Sequence, residues 1–170
     1  MKSNHAKSLA LLLCLALCLC AAPARGEQQL DVTAFLNQHT TLDLSACRGK
    51  TVLINFFTEW CVYCMKEMPD LKAVNDLYAP ESFQMILVHV WDGEDETNTQ
   101  SVQERFGMQH MTFFEDTDRA VASAVGVPGY PATLILAPDG TLAAGQSGML
   151  TLEALTAFLD EMGVERKAEP

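Results

Sequence analysis

Basic residues are scarce in this sequence of 170 residues. It contains 11 lysines and arginines but 22 aspartates and glutamates, so its formal net charge is −11. A surface of this sign repels a phosphate backbone. We therefore expect no nucleic acid among the partners of the protein.

Long hydrophobic runs are also missing. The longest apolar run covers residues 8–22, which is shorter than the roughly 20 residues that a helix needs to cross a bilayer. A bundle of membrane-spanning helices is therefore excluded. With 49% hydrophobic and 19% charged residues, the composition is that of a globular protein, and the length suits one domain.

The amino terminus has the pattern of a secretory signal peptide. Lys2 and Lys7 precede an apolar stretch, and Ala-Pro-Ala at 22–24 supplies the small residues of a cleavage site. We predict a signal peptide at residues 1–24 and an exported domain at residues 25–170, in the periplasm or on the extracytoplasmic face of the membrane. The alternative is an uncleaved membrane anchor. A lipoprotein is not expected, because lipid attachment needs a small residue directly before the cysteine and a leucine precedes each cysteine of this segment.

Three of the six cysteines lie outside the signal segment, at Cys47, Cys61 and Cys64. Export places them where disulfides persist, and the odd number leaves at least one thiol without an internal partner. There is no second cysteine pair, and the histidines are scattered without ligand spacing. We therefore expect no metal and no other cofactor.

Predicted strands alternate with predicted helices along the rest of the chain. The run Thr-Val-Leu-Ile-Asn-Phe-Phe at 51–57 suits a central strand buried on both faces, and residues 61–78 have helical spacing. Further strands are expected at 83–91, 112–114, 133–137 and 142–147, and further helices at 96–106, 119–125 and 152–162. This alternation predicts an α/β fold with a mixed sheet covered by helices on both faces.

The motif Trp-Cys-Val-Tyr-Cys at 60–64 joins the central strand to the first long helix. Unpaired N–H groups and the positive dipole end of a helix stabilise a thiolate. Cys61 would be the exposed, attacking sulfur, and Cys64, one turn further, would resolve the mixed disulfide. The alternatives are a structural disulfide, half of a zinc site, or chance spacing.

The segment Asn-Phe-Phe-Thr-Glu-Trp-Cys-Val-Tyr-Cys-Met-Lys-Glu-Met-Pro at 55–69 resembles the active-site segment of the thioredoxin superfamily. It is most similar to the TlpA/ResA-like extracytoplasmic thiol–disulfide oxidoreductases. A second landmark, Gly-Val-Pro-Gly-Tyr-Pro-Ala-Thr-Leu-Ile at 126–135, resembles the cis-proline loop of that superfamily. The resemblance implies a thioredoxin-like fold with the TlpA-type extra strand–helix insertion, and it makes Pro131 the cis residue.

The resemblance also implies roles for residues around the cysteines. A cis Pro131 would let the backbone of Tyr130 pair with an extended substrate, and Trp60 would form part of the substrate surface. Asn55 stands where thioredoxin has a buried aspartate. Glu67 matches an acidic residue of ResA-like proteins and would accept the proton of Cys64, the alternative being a solvated helix carboxylate.

Cys47 matches an apolar position of the superfamily, so we expect a buried small hydrophobe there rather than a third redox thiol. The function implied is an exported thiol–disulfide oxidoreductase that reduces protein disulfides through a redox-active Cys61–Cys64 pair. The implied partners are a cysteine-containing extracytoplasmic protein, such as apocytochrome c, and a membrane thiol transporter of DsbD/CcdA type as electron donor. We expect a monomer.

Three other functions remain open. The first is an oxidase of the same fold, because the Val-Tyr spacer leaves the direction of electron flow undetermined. The second is a thiol peroxidase, because Thr58 stands three residues before Cys61 as in peroxiredoxins, although Ile54 occupies the place of their proline. The third is a copper carrier that uses Cys61 and Cys64 without catalysis.

Overall fold

Five strands form one mixed sheet at the centre of the protein. The computed structural model describes residues 29–91 and 99–168, so the predicted signal peptide lies outside the described residues. The strands are β1 (Thr51–Phe57), β2 (Phe83–Val90), β3 (Thr112–Asp116), β4 (Ala132–Leu136) and β5 (Leu142–Ser147). The sheet has the order β3-β2-β1-β4-β5. β1 is parallel to β2, β2 is parallel to β3, and β4 runs antiparallel to β1 and β5.

β1 is the central strand, as its composition predicts. All seven of its residues are buried. A parallel strand covered by helices on both faces has no side that faces water, so its sequence reads as a nearly continuous apolar run. The one amide within it, Asn55, is consequently buried as well.

Helices cover both faces of the sheet, which confirms the predicted fold class. The helices are α1 (Val32–His39), α2 (Val62–Leu77), α3 (Thr99–Phe106), α4 (Ala120–Ala124) and α5 (Leu152–Glu161). Leu71 of α2, Val102 of α3 and Leu159 of α5 pack in the apolar cluster on one face of the sheet. Leu36 of α1 and Val121 of α4 pack in the cluster on the other face. Among the residues described, no helix is long and apolar enough to span a bilayer.

The predicted insertion consists of α3 and β3. These two elements lie between β2 and α4 in the chain, and β3 becomes the outer strand of the sheet next to β2. β3 extends to Asp116, two residues further than its apolar residues indicate. Asp116 is buried because its carboxylate accepts hydrogen bonds from the backbone N–H groups of Val121 and Ala122, at 3.0 and 2.9 Å, at the start of α4.

α1 is a helix that the sequence patterns above do not include. Asp31 is its N-cap, and its carboxylate accepts a hydrogen bond from the N–H of Ala34 at 2.9 Å. The buried residues Val32 and Leu36 are four positions apart, which places both on the face of the helix that meets the sheet. The cap and this spacing are the signals that identify α1.

The amino-terminal segment is attached to the β4–β5 turn. The carbonyl of Gly140 accepts hydrogen bonds from the N–H groups of Val32 and Thr33, at 2.9 and 3.2 Å. Gly140 has a φ of +86°, and a Cβ there would lie 2.6 Å from the Asp31 carboxylate, so only glycine fits this turn. β4 runs antiparallel to β1, so this contact lies at the end of the sheet where β1 begins, opposite the end that leads to Cys61.

Candidate active site

The two cysteines of the motif lie at the start of α2. Cys61 is the N-cap, and its sulfur accepts a hydrogen bond from the N–H of Cys64 at 3.1 Å. The structure joins Cys61 and Cys64 in a disulfide, with their Cα atoms 5.2 Å apart. A donor aimed at the sulfur of Cys61 in the disulfide is also positioned to bind the sulfur anion after reduction.

Cys61 is not exposed, so the expectation that it lies at an open helix start is wrong. Its exposed fraction is 5%, and it belongs to the apolar cluster beneath α2. Its two neighbours in the sequence are exposed instead, Trp60 to 54% and Val62 to 63%. The physical reason is that Cys61 is bonded to the fully buried Cys64, while the side chains on either side of it project outward.

The predicted substrate-binding residues lie together near the disulfide. The bond between Tyr130 and Pro131 is cis, as the motif predicts. Pro131 immediately precedes β4, which is the neighbour of β1 in the sheet. The ring of Trp60 meets the ring of Tyr130 edge to face, with centroids 6.4 Å apart at 76°. The structure therefore brings the residues of the two sequence landmarks into contact.

Glu67 is completely buried, so the alternative of a solvated helix carboxylate is wrong. Its Oε1 accepts a hydrogen bond from the N–H of Leu150 at 2.8 Å, and its Oε2 accepts one from Nδ2 of Asn55 at 3.3 Å. Burial raises the pKa of Glu67, the two donors oppose that rise, and the nearby Asp70 carboxylate adds to it.

Asn55 connects Glu67 to the neighbouring strand. Its Nδ2 also donates a hydrogen bond to Oγ1 of Thr133 at 3.0 Å, and the two residues are paired in the β1–β4 register. Within the described parts of the chain, Oδ1 of Asn55 has no hydrogen-bond partner. Neither Thr133 nor the Leu150 N–H is predicted from the sequence. Leu150 in particular carries no local signal, because its contact with Glu67 joins residues 83 positions apart.

Thr58 lies between β1 and the cysteine motif. Its carbonyl accepts a hydrogen bond from the N–H of Cys61 at 3.3 Å. The side chain is fully buried, and across residues 29–91 and 99–168 its hydroxyl has no hydrogen-bond partner. Such a hydroxyl retains a donor that a sulfur anion or a bound oxygen atom nearby could use.

Cys47 lies outside this cluster. It ends a short 3₁₀ turn, Ser45–Cys47, and it is half-buried against the apolar cluster that contains α1. Burial raises the pKa of its thiol, which keeps the thiol protonated. Its packing agrees with the predicted small hydrophobe, although its burial is partial.

The chain is similar to several known proteins. The thiol–disulfide oxidoreductase ResA of Geobacillus thermodenitrificans is 29% identical over 119 residues, which cover 70% of this chain and 67% of that protein. ResA of Bacillus subtilis is 26% identical, with coverage of 70% and 65%. The solved structure of MTB dsbF superimposes with a TM-score of 0.61 at 22% identity, and the match covers 69% of this chain and 84% of that one.

These likenesses confirm the predicted thioredoxin-like fold and the predicted resemblance to ResA-like proteins. The model of the family described as "AhpC/TSA family" matches residues 26–144, which include β1, the cysteine motif and the Tyr130–Pro131 bond. The chain belongs to the AhpC/TSA family.

Proposed function

We propose that the protein is a thiol–disulfide oxidoreductase that cycles Cys61 and Cys64 between dithiol and disulfide. The observation that carries this proposal is the Cys61–Cys64 disulfide at the start of α2, directly after the central strand of a thioredoxin-like fold. A disulfide across three residues closes too small a loop to contribute much stability. A pair with this placement is better suited to exchange with other thiols.

In the reducing direction, the Cys61 thiolate attacks one sulfur of a substrate disulfide. The other substrate sulfur leaves as a thiolate and takes a proton from water, and Cys61 is left in a mixed disulfide. Cys64 then loses its proton and attacks the Cys61 sulfur. The second substrate thiol is released and two electrons have passed from the protein to the substrate.

Glu67 accepts the proton that Cys64 loses. It follows Cys64 by three residues on α2, and side chains at this spacing are neighbours on a helix. Because burial raises the pKa of Glu67, its carboxylate is a stronger base than a solvated one and is better matched to a thiol. The Leu150 N–H and the Asn55 amide hold the carboxylate in place.

The substrate lies across Trp60 and the Tyr130–Pro131 bond. The exposed indole and the ring of Tyr130 form an aromatic surface beside the disulfide. The backbone of Tyr130, at the entry to β4, pairs with an extended substrate segment in the manner of an added strand. Cys61 is thus reached by a partner that covers the exposed side chains around it.

The proposal also covers the location, the oligomeric state and the partners of the protein. The domain at residues 25–170 is exported after removal of residues 1–24, acts as a monomer, and reduces a cysteine-containing extracytoplasmic protein. A membrane thiol transporter of DsbD/CcdA type returns it to the dithiol form. These assignments are supported by the signal-peptide pattern and by the resemblance to ResA-like proteins.

Reduction of insulin disulfides tests the proposal. The protein should catalyse this reaction in the presence of a small dithiol, and Cys61→Ser should not, with Cys47→Ser as the matched control that retains full activity. The reduction potential of the Cys61–Cys64 pair then gives the direction. A strongly reducing value agrees with a reductase, whereas a value near about −120 mV indicates an oxidase.

A thiol peroxidase is the second candidate, and Thr58 is the observation that favours it. Its hydroxyl is buried near Cys61 and has no hydrogen-bond partner among the described residues. It could bind a peroxide oxygen while the peroxide oxidises the Cys61–Cys64 dithiol to the disulfide and is itself reduced to water. Peroxide consumption by the preparation used for insulin reduction separates the two activities. Loss of peroxide turnover in Thr58→Val, with insulin reduction intact, would establish the second. Copper titration of the reduced protein tests the carrier alternative.

A further inference from the structure

A surface groove is lined by the two sequence neighbours of Cys61, Trp60 and Val62. It has a volume of about 390 Å³ and runs from the start of α2 to the end of α3. Its apolar wall consists of Trp60, Val62, Met65 and Phe106. We call it the Trp60 groove. Trp60 belongs both to this groove and to the aromatic surface across which the proposed substrate lies, so the groove is placed to receive a flanking part of the substrate chain.

Basic residues outnumber acidic ones in the groove, whereas the protein as a whole is acidic. Lys66 and Arg105 line it, together with one acid, Glu59. Glu59 already accepts a hydrogen bond from the hydroxyl of Ser101 at 3.3 Å. On a chain whose net charge is −11, the lining of this groove has two cations and one acid, a balance that favours an anionic ligand.

Three other cations of the protein are paired with aspartates. Arg48 pairs with Asp31, Lys72 pairs with Asp76, and Arg166 pairs with Asp160. Within the described ranges, Lys66 and Arg105 form no ion pair.

Lys66 and Arg105 lie over aromatic rings instead. The Lys66 ammonium is 5.6 Å from the ring centre of Tyr63, and the Arg105 guanidinium is 5.2 Å from that of Phe106. Contact with a ring holds a cation in position without neutralising it. Both side chains are exposed, so their charge is available to a ligand in the groove.

We propose that the Trp60 groove binds the polypeptide that flanks the reacting cysteine of a substrate and prefers a flank that carries a carboxylate. This inference rests on the proposed function. Lys66 is five residues beyond Cys61, a rise of about 7.5 Å along a helix, which an extended chain covers in about two residues. The preferred carboxylate therefore lies two or three residues from the substrate cysteine, with an apolar side chain between them over Trp60 or Val62.

Peptide disulfides with a common leaving group test the preference. Each peptide carries one cysteine bonded to thionitrobenzoate, and the peptides differ only in having glutamate, glutamine or lysine two and three residues away. The reduced protein attacks, and the released thionitrobenzoate gives the rate. An exposed ion pair contributes about two- to fivefold, so we expect the glutamate peptide to react about fivefold faster than the lysine peptide at low salt, and the advantage to disappear in 1 M NaCl.

Charge-removing variants then locate the preference. Lys66→Gln and Arg105→Gln should each reduce the ratio of the two rates, and the double variant should abolish it. Lys72→Gln is the matched control, since Lys72 lies on the same helix but is paired with Asp76 and does not line the groove. Its ratio should equal that of the wild type. Because a general change in Cys61 reactivity affects all peptides alike, the ratio reports the groove.

Two negative results have different meanings. Equal rates with the glutamate and lysine peptides, or an advantage that survives in the double variant, would overturn the assignment of the groove and leave the proposed function intact. A fully reduced protein that releases no thionitrobenzoate from any peptide would contradict the proposed function, and the inference would fail with it.

Discussion

Replacing Glu67 with glutamine removes a buried base while keeping the shape of the side chain. The amide oxygen of glutamine can accept the hydrogen bond that the Leu150 N–H now donates to Oε1. The amide NH₂ group then faces Asn55, whose Oδ1 has no partner within the described residues. Rotation of the Asn55 amide by half a turn brings that oxygen toward the new donor and toward the Thr133 hydroxyl. We therefore expect Glu67→Gln to fold normally.

The rate of the resolving step should fall in this variant. Without the carboxylate, Cys64 must lose its proton to water, and removal of such a base typically costs about 10²–10⁴ in rate. The pKa of Glu67 is raised by its burial, so the wild-type rate increases with pH as Glu67 ionises. The variant lacks this increase. The two rates converge in alkali, where Cys64 ionises unaided.

The free energy of unfolding of the wild-type protein should fall over the same pH range in which its resolving rate rises. Because burial raises the pKa of Glu67 above its ordinary value of 4.5, the folded protein holds this proton more tightly than the unfolded chain. The free energy of unfolding therefore falls as the pH rises from the ordinary pKa through the raised one. Glu67→Gln has no such fall. Glu67→Ala instead leaves the Leu150 N–H without its acceptor, at about 1–3 kcal/mol, and removes one of the two acceptors of Asn55 Nδ2 while Thr133 remains.

The assay follows a peptide bound to Cys61 in a mixed disulfide and measures its release by Cys64 between about pH 5 and pH 10, with urea unfolding across the same range. Asp70→Asn keeps the base but removes the neighbouring carboxylate that adds to the raised pKa of Glu67, so this variant should retain fast release with a pH profile that moves to lower pH. Asp70 is one turn further along α2, and its carboxylate accepts a hydrogen bond from the N–H of Leu152 at 3.2 Å. A release rate and pH profile in Glu67→Gln that match the wild type would refute the role of Glu67 as the base.

Three further changes test the other assignments. Cys61→Ser should abolish turnover and Cys64→Ser should accumulate a mixed disulfide with the substrate, both visible by intact mass; if an alkylating agent labelled Cys64 first at mildly acidic pH, the two roles would be reversed. Asn55→Asp places a second carboxyl beside Glu67, so one of the two pKa values rises and the profile of the resolving step moves to higher pH; an unchanged profile would show that position 55 is not coupled to the base. The exported protein should begin at Arg25 without lipid, and a retained leader or a lipid adduct in its mass would contradict the cleavage prediction.

Local signals were sufficient to predict the cysteine pair after β1, the cis bond and much of the sheet. β1 is a run of buried residues, so its composition alone identifies a central strand. The cysteine motif follows it directly, and the cis bond at Pro131 belongs to a recognisable loop. Each of these features depends on a few consecutive residues, which is why sequence patterns identify them.

The surroundings of the cysteines depend on contacts between distant residues, and the sequence does not reveal these. The hydrogen bond from Leu150 to Glu67 exists only because α5 packs beside α2, and a backbone N–H donor has no signature in a side-chain pattern. The burial of Cys61 is likewise not apparent from the sequence. The start of a helix after a strand is often accessible, but here the disulfide and the apolar cluster enclose the sulfur, and Trp60 and Val62 carry the exposure.

The attachment of the amino-terminal segment to the Gly140 turn gives the molecule two poles. β1 has seven residues, so at about 3.3 Å per residue the chain enters the domain about 20 Å from the end where Cys61 lies. Gln29, the first described residue, lies at the pole away from the disulfide, where its side chain donates a hydrogen bond to the carbonyl of Leu142. On any surface to which that segment is fastened, the reacting sulfur would therefore face outward, toward partners that approach from solution or on stalks of their own. A partner embedded in the same surface could reach Cys61 only by extending its own cysteines about the height of the domain or by tilting the whole molecule.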